Sequence, residues 1–228
     1  MLTAIALIPS APVLVPELAS GAAAELSELR AAVFAAAREL PARWIAVGVG
    51  STDEVIGSDA VGTFGGYGVD VRVGLAEGEL ADARRLPLCA LITGWVRGQV
   101  GPGARAEVRV YSEALGVDVA LARGRALRAE IEGAAEAIGV LVVADGANTL
   151  TPPAPGGYDP DSAAVQTALD DALGSGDVRA LTELPAGIGG RVAYQVLAGL
   201  AAPYEARELF RGAPYGVGYF VGVWEPTS

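Results

Sequence analysis

The stretch GVLVVADG, residues 139–146, decides the fold class. Val140, Leu141, Val142 and Val143 form an unbroken apolar run rich in β-branched side chains and bounded by glycine. That pattern predicts a strand buried on both faces rather than one that alternates between core and water. LTAIALI (Leu2–Ile8) and WIAVGVG (Trp44–Gly50) read the same way, and AEVRVY (Ala106–Tyr111) is a further strand. VDVRV (Val69–Val73) alternates, as a half-exposed strand should.

Helical spacing fills the gaps. Leu26, Leu29, Val33, Ala37 and Leu40 mark one apolar face, with Ser20 as an expected N-cap and Pro41 as the stop. RLPLCALITGWVRG predicts a second helix. A long helix is expected from Asp118, acting as N-cap, to Ile138, and others near Asp161–Leu173, Asp177–Leu184 and Gly190–Ala201. Strands near Tyr204–Phe210 and Gly216–Val223, separated by RGAPYG, form an antiparallel pair at one side. The expectation is a single domain spanning residues 1–228: a three-layer α/β/α sandwich with a largely parallel central sheet.

Composition excludes much chemistry. The chain has 228 residues, no His and a net charge of −11, and every side-chain cation is Arg. Without His there is no imidazole base, no Ser-His or Cys-His nucleophile pair and no His-ligated metal. The absence of a basic run argues against nucleic acid and anionic membranes as partners. Cys89 stands alone in an apolar run and reads as a buried, inert thiol. The N-terminal segment lacks a charged leader and carries Pro9, Pro12 and Pro16, and no apolar run reaches the roughly 18 residues of a membrane span. A soluble, cytoplasmic protein is expected.

In open α/β sheets, sites form where loops leave the carboxyl ends of strands. Three loops qualify, beginning at Pro9, Ser51 and Asp145. STDE (Ser51–Glu54) offers paired carboxylates, although such a cluster more often caps a helix or faces water. GTFGGYG (Gly62–Gly68) suits either a ligand cleft or a turn. Trp95 and Trp224 read as core, and Arg191 as the start of a helix with a surface ion pair.

Segments spread over the whole chain carry a resemblance. ALIPSAPVLVPELA, VVADGANTLTPPAPGGYDP and APYGVGYFVGVW resemble, in order and spacing, the class III extradiol ring-cleavage dioxygenases of the LigB-type family. GTFGGYG also suits that family's Gly/Phe loop. The family binds non-haem Fe(II) through two His and a carboxylate, with a further His as acid/base. Carried over, the two ligand His positions fall on Ser10 and Ser51, the acid/base on Asn148 and the late carboxylate near Gly187. Asp145, Tyr158 and Arg191 match family-like positions.

Two serines, an amide and a glycine cannot hold Fe(II) against water, so the resemblance implies a divergent, metal-free member with no cofactor. An Asp opening DGAN after a strand ordinarily accepts backbone N–H bonds. Ser10, Ser51, Asp145 and Asn148 have complementary donors and acceptors and are expected to form a hydrogen-bonded network. The implied function is binding of a small molecule or a protein partner in the former cleft, among Ser10, Ser51, Asp53, Asp145, Asn148 and Tyr158. The related Memo proteins tie the same fold to protein binding. The alternatives are an enzyme, such as a hydrolase using Asp145 and Asp53, or a dioxygenase with other ligands. Oligomeric state is left open.

Overall fold

A computed structural model describes residues 1–19, 21, 24–200 and 203–227. Its strands and helices, in chain order, are β1 (Leu2–Ile8), α1 (Pro16–Ala19), α2 (Ser27–Arg38), β2 (Arg43–Gly50), β3 (Glu54–Ile56), β4 (Val61–Thr63), β5 (Arg72–Gly74), α3 (Leu88–Val100), β6 (Arg105–Ser112), α4 (Val117–Glu132), β7 (Ile138–Val143), α5 (Ser162–Ser175), α6 (Arg191–Gly199), β8 (Tyr204–Gly212) and β9 (Tyr219–Pro226). Seven strands form one sheet in the order β3-β6-β2-β7-β1-β9-β8. The inner strands β6, β2, β7 and β1 are parallel, while β3, β9 and β8 join through antiparallel pairings at the two sides.

The expected α/β sandwich is therefore present, with its antiparallel closing pair at one side. Successive strand residues feed opposite layers. Ala4, Ala6, Ile8, Leu141 and Val143 pack with Val33 of α2 and Leu91 of α3. Ile5, Leu7, Val140 and Val142 pack with Leu127 of α4, Leu169 of α5 and Val196 of α6. GVLVV faces a helix layer on both sides, which is why it carries no polar alternation.

In the second layer two helices touch backbone to backbone. A Cβ on Gly124 of α4 would stand 2.1 Å from the Val196 carbonyl oxygen, and one on Gly199 of α6 would stand 2.3 Å from that of Leu121. No other residue permits that approach.

Several expectations shift. The Ser20 cap lies outside the described residues, and α2 begins at Ser27 with no side-chain cap. Gly116, not Asp118, is the N-cap of α4; Asp118 sits in the first turn, where the helix dipole favours a carboxylate. That helix ends at Glu132, because the next residue is Gly133 and Ile138 already belongs to β7, its N–H donating to the Met1 carbonyl. The strand expected at Val69–Val73 moves to Arg72–Gly74, pairing with β4 in a separate two-stranded sheet. Near Asp177–Leu184 only a 3-10 turn forms, Ala180–Glu183, with Asp177 accepting the Arg179 and Ala180 N–H groups. Ala201, the expected end of the last helix, lies outside the described residues. β3 and β4 are too short, at three residues each, to show periodicity. No helix among the described residues is long and apolar enough to cross a membrane.

Candidate functional site

Strand register places the candidates. Ile8 and Gly48 both align with Val143, on either side of β7. Ser10 and Asp145 therefore leave their strands at the same level, and Ser51 follows β2 one residue beyond it. The chain runs from β1 to α2 on one face and from β7 to α5 on the other. The gap between β1 and β7 is thus a switch point, where ligands bind in open α/β sheets.

Asp145 forms the floor. The residue keeps partial exposure, while its carboxyl is closely surrounded. The backbone N–H of Ser10 donates to its Oδ1 at 2.8 Å. Burial raises the carboxyl to about 7, and only that N–H acts in the opposite direction. The carboxyl accepts a backbone N–H as expected, but from another loop and not from its own turn.

The supports beneath Asp145 have no obvious sequence motif. Gln166 of α5 accepts the Ala147 N–H at 2.8 Å, and its amide donates to Asp170 at 2.8 Å. Asp170 thereby fixes the orientation of the amide, leaving Oε1 to hold the Asp145–Ala147 loop. Burial lifts Asp170 to about 6. Tyr194 of α6 donates to the Ala144 carbonyl at 3.0 Å, and burial, then the Asp145 charge, push its hydroxyl well up. Burial and Asp145 also raise Tyr219 at the start of β9. The one available signal was a pair of polar residues, Gln166 and Asp170, one turn apart on the buried face of α5.

The loop before α6 closes one side. Gly190 N–H donates to the Asp145 carbonyl at 2.7 Å, and Ala147 bridges to Ile188. A Cβ on Gly190 would lie 2.5 Å from that of Ala144, so the approach requires glycine. Gly187, in the same loop, is exposed. The β8–β9 connection closes another side, with Gly146 N–H donating to the Gly218 carbonyl and Gly218 N–H to that of Ala147. Tyr215 within it adopts a left-handed conformation, φ 59°, and its hydroxyl donates to Glu25 at 2.9 Å.

The other candidates disperse. Ser51 is exposed, and its carbonyl accepts the Ser112 hydroxyl. Asn148 is exposed; its carbonyl accepts Gly156 N–H. The expected direct network among Ser10, Ser51, Asp145 and Asn148 reduces to the single Ser10–Asp145 bond, because Ser51 and Asn148 sit on outward-facing loops. Tyr158 is exposed. Asp53 accepts the Ser112 N–H at 2.9 Å and pairs with Arg123 at 3.1 Å, so it braces the β2 and β6 ends instead of facing Asp145. It lines a cavity of about 330 Å³ beside α4, also walled by Arg109 and Glu130. STDE caps no helix; Glu54 opens the edge strand β3. Arg191 makes neither an ion pair nor an anion site, since its guanidinium donates to the carbonyls of Glu113 and Leu115 and to Gln195. Trp95 and Trp224 are core residues, as expected. Cys89 is buried, its thiol pushed up to about 12 by desolvation.

Iron does not fit this donor set. Ser10, Ser51, Asn148 and Gly187 offer neutral oxygens or no side chain, and among the described residues no three His, Cys, Asp or Glu cluster as metal ligands.

No protein-family model matches the sequence, and no curated protein matches it. Among solved structures the fold is similar to that of the uncharacterized protein JW3007 from Escherichia coli K12. The TM-score is 0.56 at 11% identity, over 98% of this chain and 99% of that one. At that identity the likeness concerns the fold alone.

Proposed function

We propose that the chain is a cytoplasmic small-molecule-binding protein that uses the crevice between β1 and β7, on a scaffold of the extradiol dioxygenase type without its Fe(II) chemistry. One observation carries the reading. Asp145 lies at the switch point, partly exposed as a residue, and its carboxyl has one internal hydrogen-bond donor, the Ser10 N–H. A carboxylate accepts several hydrogen bonds, so capacity remains for a ligand. The scaffold holds the residue from behind through Gln166 and Tyr194, the pre-organisation a binding site needs.

A second reading, acid/base catalysis, is favoured by the elevation of Asp145 to about 7, where a carboxyl can both take and give a proton. A hydrolase using Asp145 together with Asp53 has no geometric support, because Arg123 and Ser112 engage Asp53.

Crystals soaked with fragment mixtures test the primary reading. Bound fragments are expected over Asp145, between the Ser10 and Gly190 loops. Fragments found only elsewhere, such as in the cavity beside α4, would overturn it. Turnover of a bound fragment, abolished in Asp145→Asn, would move the assignment to catalysis.

A further inference from the structure

Asp145 is an enclosed carboxyl without a counter-ion. The chain has no Lys and no His, and among the described residues no arginine forms an ion pair with it. Enclosed carboxylates are ordinarily matched by a cation. The cavity beside α4 shows the contrast: there Arg123 pairs with Asp53 and Arg109 with Glu130, and the charges neutralise one another.

The loops at this end of the sheet have their own character. Tyr67, Tyr158 and Tyr215 are 46%, 58% and 44% exposed, and among the described residues no other Tyr, Phe or Trp is a large exposed side chain. All three belong to loops at the end of the sheet where β1, β2 and β7 finish. Tyr67 lies near Cys89, whose thiol contacts the Val49 carbonyl close to the end of β2. Tyr158 follows the β7 loop, where Asp159 N–H donates to the Thr149 carbonyl. Tyr215 sits in the β8–β9 connection, bonded to Glu25, which adds a second acid to these loops.

We propose that the crevice takes an organic ammonium ligand, whose cation serves as the counter-ion of Asp145 and whose apolar body lies against the tyrosine rings. A charge-assisted hydrogen bond to a carboxylate and attraction to aromatic faces both favour an ammonium group. An anionic ligand would meet Asp145 and Glu25 with like charge. The inference rests on reading the crevice as a binding site and adds the ligand's chemistry.

The probes are benzylamine and its uncharged counterpart benzyl alcohol, titrated at about pH 8 into the intact chain and followed by two-dimensional NMR. Benzylamine is expected to bind at least tenfold more tightly, with the largest shifts at Ser10, Asp145 and Gly146. Asp145→Asn keeps the side-chain shape and should erase the preference; Tyr215→Ala should weaken benzylamine severalfold. Equal affinity for both probes, or benzylamine binding unaffected by Asp145→Asn, overturns the ammonium assignment. Absence of benzylamine binding overturns it as well. If neutral or anionic fragments then occupy the crevice, the binding-site reading survives without it.

Discussion

The backbone N–H of Ser10, and not its hydroxyl, holds Asp145 across the gap between β1 and β7, at 2.8 Å. This distinction sets what substitutions at residue 10 should do. Ser10→Ala keeps the donor and is expected to change stability by less than about 0.5 kcal/mol. Ser10→Pro removes it and should cost about 1.5–3 kcal/mol, the range for a hydrogen bond to a charged group. Chemical denaturation of both variants measures the difference. Equal losses would mean that the hydroxyl carries the contact.

Asp145 should make stability fall as pH rises. Its folded value, about 7, lies above its ordinary value of 3.8, so the folded state binds the proton more tightly than the unfolded one. Below about pH 4 both states are protonated and nothing is lost. Between about 4 and 7 the unfolded chain ionises first, and stability drops by an amount on the order of 2–4 kcal/mol. Asp170, raised to about 6, adds a loss of the same sign in the window from about 4 to 6. Asp145→Asn should flatten the upper part of the profile. Melting curves across pH 4–8 read this directly, and a variant profile parallel to the parent's counts against it.

Gln166 should behave as a two-ended clamp. Gln166→Leu strands the Ala147 N–H and removes the donor to Asp170. A cost of about 1–3 kcal/mol is expected for the orphaned groups. Combining it with Asp170→Leu should cost less than the sum of the two single changes, because the Asp no longer lacks a partner. Additive losses in urea titrations would show that the two residues act separately.

Glycine position should matter more than glycine count. Gly124→Ala forces a Cβ to within 2.1 Å of the Val196 carbonyl and should lower stability by about 2–3 kcal/mol. Gly98→Ala, on an exposed face of α3 with nothing within 4 Å, should raise it by about 0.5–1 kcal/mol. Thermal unfolding of the two variants should shift in opposite directions.

Supplying histidines should not restore ring cleavage. Ser10→His with Ser51→His provides two imidazoles, yet Gly187 still offers no carboxylate and Asn148 no proton-transfer group. Anaerobic loading with Fe(II) followed by a catechol ring-opening assay is expected to show no product in either parent or variant. Turnover in the parent would defeat the metal-free reading.

Much of the fold was legible in the chain because burial writes itself into local pattern. LTAIALI matches β1 residue for residue, and RLPLCALITGWVRG holds all of α3 but its last two residues, since a two-sided strand and a buried helix need continuous apolar surface. Length was less legible at α4, where Gly133 ends a helix whose apolar spacing runs on. β3 and β4 left no readable period, because three residues paired at an edge are selected by their partners and not by themselves.

For the site, the sequence alone determined which chemistry is missing: no His, no Lys, and Ser, Ser, Asn and Gly at the positions the resemblance marks. It also picked out Asp145. Only the tertiary structure decided which neighbours that carboxyl has. Register brings Ser10 level with it, α5 supplies Gln166, α6 supplies Tyr194, and Asp53 turns away to Arg123. The physical reason is that a carboxyl's proton affinity depends on burial and on the donors within a few ångströms. Its donor, the Ser10 N–H, lies 135 positions away in the chain, a separation that no local pattern records.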